Sequence, residues 1–147
     1  MMKAITLNGY GGPEVLVESN VPKPILKKTE LLVRVHATSL NRADLLQRVG
    51  KYPPPPGASD ILGLDIAGEI IDMGSQVQHF KIGQRVCGLV SGGGYAQYTC
   101  LDEQMAMLIP ESMSDETAAA IPEIFLTAHA SMIELGQLKP FESVLIH

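Results

Sequence analysis

The sequence predicts a mainly β domain with short helices (α+β), folded as a partly open β-barrel and followed by the opening helix and strand of a second unit. Three observations carry this. Up to Leu101, short runs of alternating apolar and polar residues are separated by Gly- and Pro-rich turns. Within that stretch only Asn41–Val49 has helical spacing. From Ser114 onward the character changes to helix signals and a closing apolar run. Many short strands with one short helix favour a barrel over a layered α/β sheet.

The elements follow in order. Lys3–Asn8 reads as a short strand, closed by the turn cluster Gly9-Tyr10-Gly11-Gly12-Pro13. Val15–Ser19 and Glu30–Ser39 are the next strands, and LLVRVHATS in the latter alternates as a half-buried strand does. In Asn41–Val49, Leu45, Leu46 and Val49 fall at helical spacing; Asn41 suits the cap and Gly50 the stop. Tyr52 and the run Pro53–Pro56 follow. Proline fixes φ and lacks an amide donor, so this segment is expected to be a stiff, extended loop outside any sheet interior.

Strand signals resume at Leu64–Ile71 and Arg85–Val90, and again at Tyr95–Leu101 after Ser91-Gly92-Gly93-Gly94. No helix opens after those glycines and no Lys-Ser/Thr follows, so they read as a hairpin turn and not a phosphate loop. Ser114 followed by Asp115 and Glu116 is a helix start, a capping hydroxyl with acids at the positive end of the dipole. That helix reaches Pro122, and a second, Glu123–Leu135, stops at Gly136. The apolar run Ser143–His147 reads as a buried parallel strand opening a βαβ unit, so the chain is expected to continue beyond it. The expected division is 1–122 for the barrel and 123–147 for the start of the second domain.

Composition narrows the function. The 147 residues are 46% apolar and 18% charged, as in soluble globular proteins. The net charge of -5 is spread along the chain and the only adjacent basic pair is Lys27-Lys28, which argues against nucleic acid. No apolar stretch is long enough for a membrane span, and MMKAITLNGYGG lacks a signal-peptide core. The expected compartment is the cytoplasm, with Cys87 and Cys100 as reduced, half-buried thiols.

The ordered series NRADL, GKYPPPPG, GLDIAGEI, Met73-Gly74-Ser75-Gln76-Val77, KIGQRV, GGGYAQY and AAAIPEIFLTAHASM resembles the medium-chain dehydrogenase/reductase superfamily. Within it the sequence is most similar to the zeta-crystallin-like quinone oxidoreductases, and Leu40 to Leu64 follows one branch of them almost residue for residue. The resemblance implies a GroES-like N-terminal domain ahead of a Rossmann domain. It also implies NADPH as cofactor, gripped mainly by a glycine-rich turn after His147, and a homo-oligomeric intact enzyme.

The resemblance also bears on metal. Zinc-dependent relatives use a Cys, a His-Glu pair and a further ligand, and the matching positions here are Asn41, Leu64 and Asp65. Amide and leucine do not replace thiolate and imidazole. Two cysteines cannot form the four-cysteine structural site, and His36, His79, His129 and His147 have no ligand spacing. No metal is expected. Without a Lewis acid, reduction of an electrophilic quinone or enone by a nicotinamide remains feasible.

Three residues are the candidate site. Asn41 stands where the thiolate would be and could bond cofactor or substrate oxygen, or serve as a helix cap, or both. Tyr52 on the proline loop is implied to face the nicotinamide and the acceptor; its alternative is an aromatic packed on prolines. Thr127 resembles a threonine that approaches the nicotinamide, against a helix hydroxyl bonded to its own backbone. Asp44, Arg42 and Glu123 have no assigned catalytic role. The leading expectation is NADPH-dependent quinone reduction by the full-length protein, with this chain folded but inactive alone. The alternatives are an enoyl or alkenal reductase and a non-catalytic GroES-like binding module.

Overall fold

The computed structural model describes residues 1–146. Strand β1 (Met2–Leu7) pairs antiparallel with β2 (Leu16–Val21), joined through a short 3-10 turn at Pro13–Val15. The remaining strands, β3 (Glu30–Thr38), β4 (Asp65–Met73), β5 (Arg85–Leu89), β6 (Tyr98–Asp102) and β7 (Ala106–Leu108), form one antiparallel sheet in the order β6-β3-β4-β5-β7. Bulges at Leu32/Val33 and Val35/Ala37 interrupt the β3–β4 register, and such extra residues bend a strand and increase its twist. The sheet curls into a half-barrel, as the sequence predicts. The first hairpin is fastened to it by bonds from the Ile5 N–H to the Tyr95 carbonyl (2.8 Å) and from the Gln97 N–H to the Lys3 carbonyl (3.0 Å).

Alternation along β3 and β4 sorts side chains into two layers. Leu31, Val33, Ile66, Ile70, Val86, Val90 and Leu101 form the main core. Ala67, Cys87 and Ile109 face the other way, against Ala118 and Ala119 of helix α2 (Asp115–Ala119). Small residues there let the helix lie close on the sheet. The Ser114 hydroxyl accepts the Thr117 N–H, as the capping signal predicts. Asp115 then anchors α2 laterally: it accepts from Arg85 Nε and Nη2 (2.9 and 2.7 Å) and meets His36 Nδ1 at 2.8 Å. Burial works to raise the Asp115 pKa, but the bonds from His36 and Arg85 outweigh it and hold the carboxyl below its ordinary value.

Helix α1 (Arg42–Arg48) ends as the sequence predicts. Gly50 has a φ of 75°, its N–H bonds the Gln47 carbonyl, and the Lys51 N–H bonds the Leu46 carbonyl, the two bonds of a Schellman motif. The proline run carries no strand or helix assignment. Helix α3 (Pro122–His129) opens with its proline in the first turn and continues as a π-helical turn, Ala130–Leu135, into Gly136.

Two expectations are corrected. Ser91–Gly94 is not a hairpin turn: β5 and β6 do not pair, and β6 lies at the far edge beside β3. The glycines instead carry the chain across the barrel, where the N–H groups of Gly93, Gly94 and Tyr95 bond the carbonyls of Ile61, Gly63 and Leu62. Residues 143–146 form no strand; Val144, Leu145 and Ile146 are exposed. A parallel strand needs hydrogen-bonding neighbours on its flanks, and no described strand pairs there. His147, the last residue of the expected strand, lies outside the described residues.

Candidate active site

Two buried acids organise the region between α1, β4 and α3. Burying a carboxyl group is costly unless donors surround it, and both are fully supplied. Asp65 at the start of β4 is 0% exposed. Its Oδ2 accepts from the Ser39 hydroxyl (2.5 Å) and from Asn41 Nδ2 (2.9 Å), and its Oδ1 accepts from the Glu123 N–H (2.8 Å). One side chain therefore joins the β3–α1 connection to the first turn of α3. Asp44, 3% exposed, is the second hub. Its Oδ2 accepts from the Asn41 N–H (2.8 Å) and the Tyr95 hydroxyl (3.1 Å), while its Oδ1 accepts from the Gly63 N–H (3.0 Å).

Gly63 is required by this contact. It has a φ of 97°, and an added Cβ would lie 2.6 Å from the Tyr95 ring. Burial, reinforced by the neighbouring Asp44 carboxylate, raises the Tyr95 phenol well above its ordinary pKa. Tyr95 is thus a neutral hydrogen-bond donor of the scaffold.

Asn41 is buried, caps α1, and spends its amide nitrogen on Asp65 and on the Ser39 oxygen (3.1 Å). Asn41 thus both caps α1 and ties it to Asp65 at the start of β4. Thr127 is exposed on α3 and its hydroxyl donates to the Glu123 carboxylate at 3.2 Å. Its partner is a side chain one turn earlier, where the sequence allowed a backbone carbonyl. Asn41 and Thr127 are therefore linked through Asp65 and Glu123. Tyr52 stands apart from that chain of bonds. It is 43% exposed and lines a cavity of about 490 Å³ with Tyr10, Gln47, Pro53, Pro54 and Asp60.

Sequence reasoning treated Asp65 only as a lost zinc-ligand position and gave Asp44 no catalytic role. The available signal was an acid inside an otherwise apolar run, Leu62–Ile66, which is unfavourable without buried donors. Among the described residues no group of three His, Cys, Asp or Glu side chains is placed to hold a metal ion. Of the Asn41 and Thr127 polar groups, the Asn41 amide is buried with its nitrogen already bonded to Asp65 and Ser39, and only the Thr127 hydroxyl lies on an exposed residue. No glycine-rich turn runs from a strand into a helix N-terminus among the described residues.

The alcohol dehydrogenase GroES-like domain family matches residues 27–111. The chain is 36% identical over 146 residues to the synaptic vesicle membrane protein VAT-1 homolog of Danio rerio, covering 99% of this chain and 30% of that protein. It is 35% identical over 149 residues to the quinone oxidoreductase of Lama guanicoe, covering 100% of this chain and 45% of that protein. A mycobacterial protein whose structure was solved with NADPH superposes with a TM-score of 0.83 at 27% identity, over 97% of this chain and 44% of the other. The chain spans less than half the length of these relatives. The half-barrel and the match across its strands make one assignment: this chain belongs to the alcohol dehydrogenase GroES-like domain family of the medium-chain dehydrogenase/reductase superfamily.

Proposed function

We propose that this chain is the substrate-side domain of an oxidoreductase that passes hydride from NADPH to a quinone without zinc. The observation that carries the reading is the contact between Asn41 Nδ2 and Asp65 Oδ2 at 2.9 Å. These are two of the positions where zinc-dependent relatives place metal ligands. An amide nitrogen has no lone pair to give a metal, and this one is already spent on the carboxylate. The third position, Leu64, offers no donor atom. The metal-binding corner has become a self-satisfied polar floor.

The cofactor, when bound, supplies the hydride. The residues of this chain supply orientation and hydrogen bonds. Asn41 and Asp65 fix the floor, and the Glu123–Thr127 pair marks the edge where α3 borders it. Tyr52, whose hydroxyl has no partner among the described residues, donates to the acceptor oxygen as negative charge develops there. The stiff proline loop holds the ring in place, so little ordering entropy is lost on binding.

The same hydroxyl would serve the oxygen of a conjugated enone, which makes enone reduction the second reading. NADPH oxidation by the intact protein, measured with an ortho-quinone and then with an enone, separates the readings. Faster turnover of the quinone supports the first, faster turnover of the enone the second, and no turnover of either a non-catalytic module. We expect the 147-residue chain alone to be inactive. The same reading places the intact protein in the cytoplasm as a homo-oligomer acting on small molecules, without a nucleic-acid or membrane partner.

A further inference from the structure

We propose that Asn8 is a site of spontaneous covalent modification, where the side-chain amide converts to aspartate and isoaspartate through a cyclic imide closed by the Gly9 nitrogen. That chemistry needs an exposed amide, a following residue with no side chain in the way, and a main-chain nitrogen that can swing onto the amide carbon. Of the three asparagines, Asn8, Asn20 and Asn41, only Asn8 is followed by glycine. Asn20 is exposed, but it pairs with Lys3 inside the β1–β2 ladder and precedes the β-branched Val21. Asn41 is 8% exposed, spends its amide nitrogen on Asp65 and Ser39, and precedes Arg42.

Both Asn8 and Gly9 are exposed, in the connection from β1 to the 3-10 turn. The chain is anchored on either side of them. The Asn8 N–H bonds the Val15 carbonyl (2.8 Å). The Gly11 N–H bonds the Arg48 carbonyl (3.2 Å), and Arg48 Nε returns a bond to the Gly11 carbonyl (3.1 Å). Between these anchors, Gly9 and Tyr10 make no main-chain hydrogen bond among the described residues. Gly9 has a φ of 86°, and nothing lies within 4 Å of where its Cβ would stand. The turn therefore requires glycine at the one position where a side chain would shield the Asn8 amide. Fold and chemical lability have the same cause here.

The step balances with water alone. The Gly9 nitrogen gives its proton to solvent base and bonds Asn8 Cγ; the Cγ–Nδ2 bond breaks and Nδ2 leaves as ammonia. Water then opens the ring. Attack at Cγ gives aspartate, whereas attack at the Asn8 main-chain carbonyl gives isoaspartate, whose main chain runs through the former side chain and is one carbon longer. Either product places a new carboxylate beside Gly9 and Tyr10, which line the same cavity as Tyr52.

The test incubates the intact protein at mildly alkaline pH, folded and in urea, and follows each asparagine by peptide mass spectrometry. Isoaspartate is counted separately by methyl transfer from an isoaspartyl methyltransferase. Asn8 is expected to convert in the folded protein within about fivefold of its rate in urea, because an unbonded loop costs almost nothing to open. Isoaspartate should accumulate in the peptide carrying Asn8, while Asn20 and Asn41 keep their amides in the folded protein. Asn8→Gln, whose longer side chain closes the ring far more slowly, should stop the methyl acceptance without changing the melt. Folded-state conversion of Asn8 slower than that margin would overturn the proposal. So would conversion of Asn20 or Asn41 ahead of Asn8, or methyl acceptance that persists in Asn8→Gln.

Discussion

Replacing Asp65 by Asn is the sharpest perturbation of the polar floor, because shape is kept and only acceptor capacity changes. The carboxylate receives three donors, two on Oδ2 and one on Oδ1. An amide has one acceptor oxygen and an NH₂ group. With its oxygen toward Ser39 and Asn41, its NH₂ faces the Glu123 N–H, donor against donor. Turned the other way, the NH₂ faces Asn41 Nδ2. Either orientation leaves one buried donor unpaired, at a cost of about 1–3 kcal/mol, and weakens the rest by loss of charge assistance. The sum is about 2–4 kcal/mol, or roughly 5–15 °C in Tm for a domain near this size. Urea unfolding followed by circular dichroism measures it. Amide hydrogen exchange at Glu123 should accelerate as well, since its acceptor is the one most readily given up. A loss below about 0.5 kcal/mol would refute the reasoning, for the hub would then be no more than an ordinary surface contact.

Other expectations follow from the same geometry. Tyr52→Phe in the intact protein should slow quinone reduction by roughly 5- to 150-fold with an unchanged melt, from loss of one bond to a developing charge; an unchanged rate would make Tyr52 a packing residue. Asp115 has a folded pKa below its unfolded value, so its contribution to stability is present above about pH 4 and lost as pH falls through the folded pKa. Asp115→Asn should therefore lower stability at neutral pH and flatten the acid limb, as urea midpoints across pH 2–7 would report. Cys100 has its thiol pushed up to about 12 by burial and then by Glu30, and burial also raises Cys87. Alkylation of the native protein at pH 8 should be slow and should become fast in urea, because the thiolate is the reacting species.

What the sequence made legible was local. The Asn41 and Ser114 caps, the Gly50 stop and the proline loop all follow from chemistry within a few residues, and each lies where it was expected. The longer strands were legible for the same reason, since alternation is a short-range signal, whereas the three-residue β7 was too short to show one. The misplaced pieces depend on partners distant in sequence. Ser91–Gly94 has the composition of a hairpin turn, and only the pairing of β6 with β3 shows that it crosses the barrel. Residues 143–146 have the composition of a strand, but composition supplies no neighbouring strand to pair with.

The site divides along the same line. Asn41 and Tyr52 were singled out through their motifs, and their roles in the site are part of the proposal. The hub at Asp65 draws its donors from Ser39, Asn41 and Glu123, which are 26, 24 and 58 residues away. No local pattern encodes such a convergence. What the sequence did hold was the anomaly itself, an acid in the middle of GLDIAG.

The central claim is that the corner built from Asn41, Leu64 and Asp65 works without metal. The most direct measurement is NADPH-driven ortho-quinone reduction by the intact protein before and after exhaustive chelation, with zinc content determined on the same samples. The account predicts an unchanged kcat and no stoichiometric zinc in either sample. One zinc per chain, with activity lost on chelation and restored by added zinc, would contradict it.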